Sequence, residues 1–132
     1  MVIDSSAMLA ILLAEPEQAT FTEALAADGA CSMSVASLVE CSIVLDARYG
    51  PQAVRDLDLL LARAEVHLAP VDRDQADLAR HAYRHFGKGR HAAALDFGDC
   101  FAYALAQSLG EPLLFKGGDF SRTDVLCHPA SV

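Results

Sequence analysis

The sequence predicts an α/β protein with a mostly parallel sheet of four to five short strands and helices on both faces. Two observations carry this. Short apolar segments of strand character alternate with longer segments of helical character, as in parallel sheets whose crossovers are helices. Caps, prolines and glycines also mark the ends of the helical segments. Met1–Asp4 reads as a short buried strand ending in a carboxylate, with Ser5 or Ser6 capping a helix through Leu13. Pro16 fits the first turn of a second helix, reaching Asp28, and Cys31–Met33 is the second strand candidate. Val35–Tyr49 is helical and ends at Gly50-Pro51; Pro51–Ala64 is a fourth helix, and Glu65–Leu68 a strand before Pro70. Asp72–Phe86 opens with an acidic first turn and is broken by Gly87-Lys88-Gly89. Asp96 caps a helix through Leu109, closed by Gly110. Pro112–Phe115 is a strand, Gly117-Gly118 a turn and Val125–Cys127 a final short strand.

A chain of 132 residues suits one domain, 1–132, with a single sizeable core, and a hydrophobic fraction of 53% excludes disorder. The longest apolar stretch, Ala7 to Ala14, is too short for a bilayer, and no basic segment precedes an apolar one at the N-terminus, so neither a membrane span nor a signal peptide is expected. Cys31, Cys41, Cys100 and Cys127 are widely spaced in apolar sequence, and read as reduced core residues of a cytosolic protein. The net charge of −8, from 18 acids and 10 bases, argues against a broad basic surface for nucleic acid. Its distribution is uneven. No acid lies between Asp77 and Asp96, where Arg80, Arg84, Lys88 and Arg90 occur with His81, His85 and His91. That segment is either a solvated helix face running into a loop or a phosphate-attracting rim.

Four acids stand beside apolar residues rather than in charge runs: Asp4, Glu40, Asp99 and Asp119. Carboxylates near a core are costly unless compensated, and no matching base accompanies each. Asp4 ends the first strand and Asp119 follows the fourth; Asp99 lies in the first turn of a helix and Glu40 within another, so all four can meet at one edge of the sheet. Each also has a plainer reading. Asp4 could cap the first helix. Glu40 could snorkel or bond a serine. Asp96 and Asp99 could be a cap plus an acidic first turn, and Asp119 a turn residue. Together, in this order, they point to a divalent cation such as Mg²⁺ or Mn²⁺, which takes oxygen ligands and assists chemistry at a phosphate. Lys116 and Arg122, flanking Asp119, are either phosphate contacts or exposed loop charges.

With these residues in place, the chain resembles the PIN-domain ribonucleases, specifically the VapC-type toxins of toxin–antitoxin pairs. The resemblance rests on VIDSSAMLAIL, SVASLVECSIVL, LDFGDCFAYALA and PLLFKGGDF with its trailing RTDV, and spans essentially the whole chain. It implies a three-layer α/β sandwich and endoribonuclease activity dependent on Mg²⁺, with Mn²⁺ as a possible substitute. It also implies a homodimer, and a cognate VapB-type antitoxin whose tail crosses the acidic site, in a heterotetramer or larger assembly. Carried over by position, Asp4, Glu40, Asp99 and Asp119 match the acidic quartet, with Asp4 and Asp99 expected on the metal and Glu40 and Asp119 completing or tuning the shell. Ser5 or Ser6 would contact metal-bound water or phosphate, or cap the helix. Lys116, Arg122, Arg84, Lys88 and Arg90 are the further candidates for RNA contact. Asp96 departs from the asparagine of many relatives, and Lys116-Gly117-Gly118 from the commoner polar residue before the fourth acid. Apolar positions in Met8–Leu13 and Val35–Leu45 would form an antitoxin groove, or simply face the core.

Other readings fit less well. A phosphoacceptor receiver would need paired acids after the first strand, where this chain has Asp-Ser-Ser, and a DxD phosphatase would need an acid in place of Ser6. A catalytically weak module that uses the same fold to hold RNA or a partner remains the alternative, and would bind metal without turnover.

Overall fold

The computed structural model describes residues 1–132. Its elements follow in chain order: β1 (Val2–Ile3), α1 (Ser5–Leu12), α2 (Gln18–Ala27), β2 (Ser32–Ser34), α3 (Val35–Tyr49), α4 (Pro51–Arg63), β3 (His67–Ala69), α5 (Arg73–Phe86), α6 (Phe97–Leu109) and β4 (Leu113–Leu114), then a 3₁₀ turn at Phe120–Arg122. The four strands form one sheet in the order β3-β2-β1-β4, with every pairing parallel. Val125–Cys127 contributes only a single bridge, Leu113 to Cys127, rather than a fifth strand.

The two-residue period of the strands divides the core. Val2 and Leu113 pack on one face with Ala102, Tyr103 and Ala106 of α6 and Ala79 and Ala82 of α5. Ile3 and Leu114 pack on the other, with Met8 and Ile11 of α1, Phe21 of α2, Cys41 and Leu45 of α3, and Leu57 of α4. Helices therefore cover both faces, and the layering is the expected three-layer sandwich. Met8, Ala10 and Ile11 are buried in this core, so α1 offers them to no groove. On α3 the apolar residues divide: Cys41 and Leu45 face inward, while Val39 and Ile43 are exposed. The cysteines are all free, but Cys127 is exposed rather than a core residue.

Local chemistry sets the ends of the helices. Asp4, and not a serine, caps α1, accepting from Ser6 N. Ser34, the last residue of β2, caps α3 by accepting from Ala36 N, and Pro51 opens α4 immediately after Gly50. The α6 helix begins with a capping box between Asp96 and Asp99 and ends at Gly110 in the left-handed conformation. Strand β1 has β2 on one side and β4 on the other. The winding reverses there, which opens a crevice beyond the carboxyl ends of β1 and β4. No helix is long and apolar enough to cross a membrane.

Candidate active site

Asp4 leaves the carboxyl end of β1 with only 2% of its surface exposed. The strand is held there by Asp4 N, which donates to Leu114 O of β4 at 3.0 Å. One carboxylate oxygen, Oδ2, accepts from Ser6 N at 2.9 Å and from Ser6 Oγ at 2.5 Å. The other, Oδ1, is buried and has no hydrogen-bond partner. Ser6 also ties the two strand ends together, because its Oγ accepts from Lys116 N at 3.0 Å just after β4. Burial foremost, with the Glu40 charge adding, pushes the Asp4 carboxyl up to about 6 against the hydrogen bonds from Ser6.

Glu40 reaches the same place from the middle of α3. Ser5 Oγ donates to its Oε1 at 2.5 Å, so the serine orients the glutamate rather than capping the helix. Its carboxylate lies directly against Gly98 of α6, where a Cβ would collide with the carboxylate atoms. Gly98 thus lets α3 and α6 approach closely enough for Glu40 to join the crevice. Asp99 follows in the first turn of α6. Its Oδ2 accepts from Asp96 N at 3.0 Å, while Asp99 N donates to Asp96 Oδ1 at 2.9 Å. The plainer reading of this pair, a capping box, is therefore real geometry. It does not make Asp99 ordinary. Burial foremost, with the charges of Asp4, Asp96 and Asp119 adding, pushes the Asp99 carboxyl up to about 8 against the bond from Asp96 N. Asp119 is exposed at the start of the 3₁₀ turn and its side chain makes no capping bond.

The crevice thus gathers Asp4, Glu40, Asp99 and Asp119, with Asp96 at its margin and no cation paired to any of them. No three acidic side chains close on a common metal position in this conformation. The donor set would nonetheless suit a hard divalent cation: carboxylate oxygens, one of them buried and unpartnered, in a field of mutual repulsion that a cation would relieve.

The expected basic residues behave differently from one another. Lys116 Nζ sits 2.6 Å from Glu15 Oε2 and 2.9 Å from Glu17 Oε2, so it reaches a phosphate only by leaving these pairs. Arg122 donates from Nη1 to Ala92 O at 3.0 Å, joining the turn that carries Asp119 to the segment after α5. Arg84 and Arg90 line an open concavity of about 860 Å³ with Arg80, His81 and His85, and the Arg90 guanidinium lies 5.7 Å over the Tyr83 ring. Lys88 is exposed beside them. Two positioning residues were not singled out from the sequence in these roles, Ser6 as the bridge between strand ends and Gly98. A glycine inside the first turn of a helix, where no turn requires it, was the available signal for the second.

The chain matches the PIN domain over residues 1–126. It is 55% identical over 125 residues to Ribonuclease VapC of Mycolicibacterium smegmatis, covering 95% of this chain and 97% of that protein. Against Ribonuclease VapC30 of Mycobacterium tuberculosis the identity is 54%, with 95% of each chain covered. Among solved structures, Mycobacterium tuberculosis VapC20, described as a Sarcin-Ricin loop cleaving toxin, superposes with a TM-score of 0.77 at 19% identity over 95% of each chain. A toxin–antitoxin complex from Klebsiella pneumoniae gives 0.70 at 15% identity, covering 99% of this chain and 94% of that one; at these identities the likeness is one of fold. With its acidic crevice at the switch point of a four-stranded parallel sheet, the chain belongs to the PIN-domain family, among the VapC ribonucleases.

Proposed function

We propose that the protein is a metal-dependent endoribonuclease, the toxin of a VapBC-type pair, which hydrolyses RNA phosphodiester bonds in the cytoplasm. The observation that carries this reading is the Asp4 carboxylate, buried to 2% exposure with one oxygen unpartnered, the charges of Glu40 and Asp99 near it and that of Asp119 acting on Asp99. A structural role would have supplied a donor to that oxygen. The ribonuclease names of relatives with half of their residues identical support the chemistry.

Asp4, Glu40, Asp99 and Asp119 are the residues that would hold Mg²⁺, with Mn²⁺ as a substitute. Such an ion supplies charge neutralisation at a phosphate and lowers the pKa of an attacking water. The remaining work belongs to the chain. Ser6 and Ser5 orient the Asp4 and Glu40 carboxylates, and the capping box fixes Asp99 at the mouth of α6. Arg84, Lys88 and Arg90 would draw the RNA backbone towards an otherwise acidic molecule, with Arg122 beside Asp119. A VapB-type antitoxin is the partner that would silence the crevice. A homodimer would cover exposed apolar residues such as Val39 and Ile43.

The test is cleavage of a mixed cellular RNA pool in Mn²⁺, with a chelator control and Asp99→Asn alongside. Discrete fragments that require both metal and Asp99 are the expected result. A folded chain that binds Mn²⁺ and RNA without turnover would replace this reading with the weak binding module.

A further inference from the structure

Phe97 is the most exposed aromatic residue of the chain, at 79%, yet it stands at the first position of α6, two residues before Asp99. It is not isolated. Its ring meets Phe101, one turn further along, edge to face at 4.9 Å between centroids. The two rings form one wall of a mostly apolar pocket of about 610 Å³ between α5 and α6, whose other side is Tyr83 of α5. The rim is charged. Arg80 and Lys88 line the pocket, and the Arg90 guanidinium sits against Tyr83. Arg80 is shared with Asp77 at 3.1 Å, whereas Lys88 makes no ion pair. Four of the chain's 10 basic residues lie in this acid-free stretch, in a molecule of net charge −8. One residue joins pocket and crevice: Asp96 lines the pocket, and its backbone N–H donates to Asp99 Oδ2.

We propose that this pocket is a nucleobase subsite, in which a base of single-stranded RNA next to the cleaved linkage stacks on Phe97 while Lys88 and Arg90 hold its backbone. The proposal rests on the ribonuclease reading of the neighbouring crevice. Aromatic faces flanked by cations are the chemistry that binds single-stranded nucleic acid, because every base offers a π-face and every linkage a negative charge. The pocket's size suits one ring system with room for its substituents. Its place beside Asp99 would make it a determinant of which nucleotide flanks the cut. A base can enter only when unstacked, so the pocket would also select loops and single strands over duplex.

The experiment separates binding from turnover. Equilibrium binding of randomised single-stranded RNA oligonucleotides is measured in the Asp99→Asn background, alone and combined with Phe97→Ala, Phe97→Leu or Phe97→Tyr. Cleavage-site preference on the same RNA is mapped in the Asp99 chain carrying each Phe97 change. Phe97→Ala and Phe97→Leu are expected to weaken binding on the order of tenfold and to relax the preference beside the cut, with Phe97→Tyr within about twofold of the parent. Equal binding by all forms would overturn the subsite, as would full retention by Phe97→Leu, which keeps apolar contact without a π-face. A fall in sedimentation mass with Phe97→Ala would overturn it too, by making the face a contact between copies of this chain. If no form with Asp99 cleaves RNA, the ribonuclease reading fails, while the binding series still decides whether the pocket takes a base.

Discussion

Two groups of acids lie beyond the carboxyl ends of β1 and β4, and the chain treats them in opposite ways. Glu15 and Glu17, in the turn between α1 and α2, converge on Lys116, which meets them at 2.6 and 2.9 Å. That cation lies only partly exposed and is held in its charged form by the two glutamates, and Glu17 is held below its usual range in return. Asp4, Glu40, Asp99 and Asp119 receive no cation. Two of these carboxyls are pushed upward, by burial and by one another. Two glutamates bridged by a lysine of the same chain have their compensating charge from within. A cluster left without such a partner is one that charge from outside would relieve, and proteins tolerate such a cost where function requires it.

The largest effect expected from this contrast is at Asp99. Asp99→Asn should lower RNA cleavage by at least about 10³-fold, since an amide cannot supply the carboxylate charge. The same change should raise the thermal stability of the metal-free protein, because it removes a repelled carboxylate; a destabilised fold with residual cleavage would break the contrast. Next is Gly98→Ala. The added Cβ runs into the Glu40 carboxylate, which must move or force α3 from α6, so cleavage should fall by about 10–100-fold with the helical circular-dichroism signal retained.

The third effect is on pH. Burial foremost, with neighbouring charges adding, pushes the Asp4 and Asp99 carboxyls of the metal-free protein up to about 6 and about 8, well above ordinary aspartate. The native state therefore holds protons that the unfolded chain has released. The associated stability is fully present below about pH 4 and is lost as pH rises through 6 and 8. Thermal melts without metal should decline from pH 5 to pH 8, and saturating Mg²⁺ should flatten the decline; a metal-free protein most stable at pH 8 would contradict it. The smallest effect is at the compensated glutamates. Lys116→Met should leave cleavage unchanged and shift the melting midpoint by no more than about 2 °C, because these ion pairs are partly open to solvent. A raised KM for RNA would mean that Lys116 leaves its glutamates to meet a phosphate.

Much of this was legible in the sequence, for physical reasons that differ by element. The helices announced themselves through strong ends: Gly50-Pro51, the Asp96 cap and Gly110 all act where they were read. The four main strands were found although each spans only two or three residues, because their apolar runs are bracketed by helix caps. Val125–Cys127 has the same local character but makes one bridge, since pairing is settled by tertiary geometry that no local pattern records. The convergence of Asp4, Glu40 and Asp99 followed from the rule for parallel sheets. What escaped was contact detail. Ser6 bridges strand ends that are 110 residues apart in sequence, and Gly98 matters only because Glu40 lies against it. The pairing of Lys116 with Glu15 and Glu17, about a hundred residues earlier, is likewise a contact that no local pattern records.

The central claim, that the uncompensated quartet is a metal site and the compensated glutamates are not, is tested most directly by calorimetric titration with Mn²⁺. The parent chain and its Asp4→Asn, Asp99→Asn and Glu15→Gln forms would be compared at pH 8. Saturable binding by the parent and by Glu15→Gln, weakened at least about tenfold by either aspartate change, is the expected result. Binding of Mn²⁺ that survives Asp4→Asn and Asp99→Asn unaltered would contradict it.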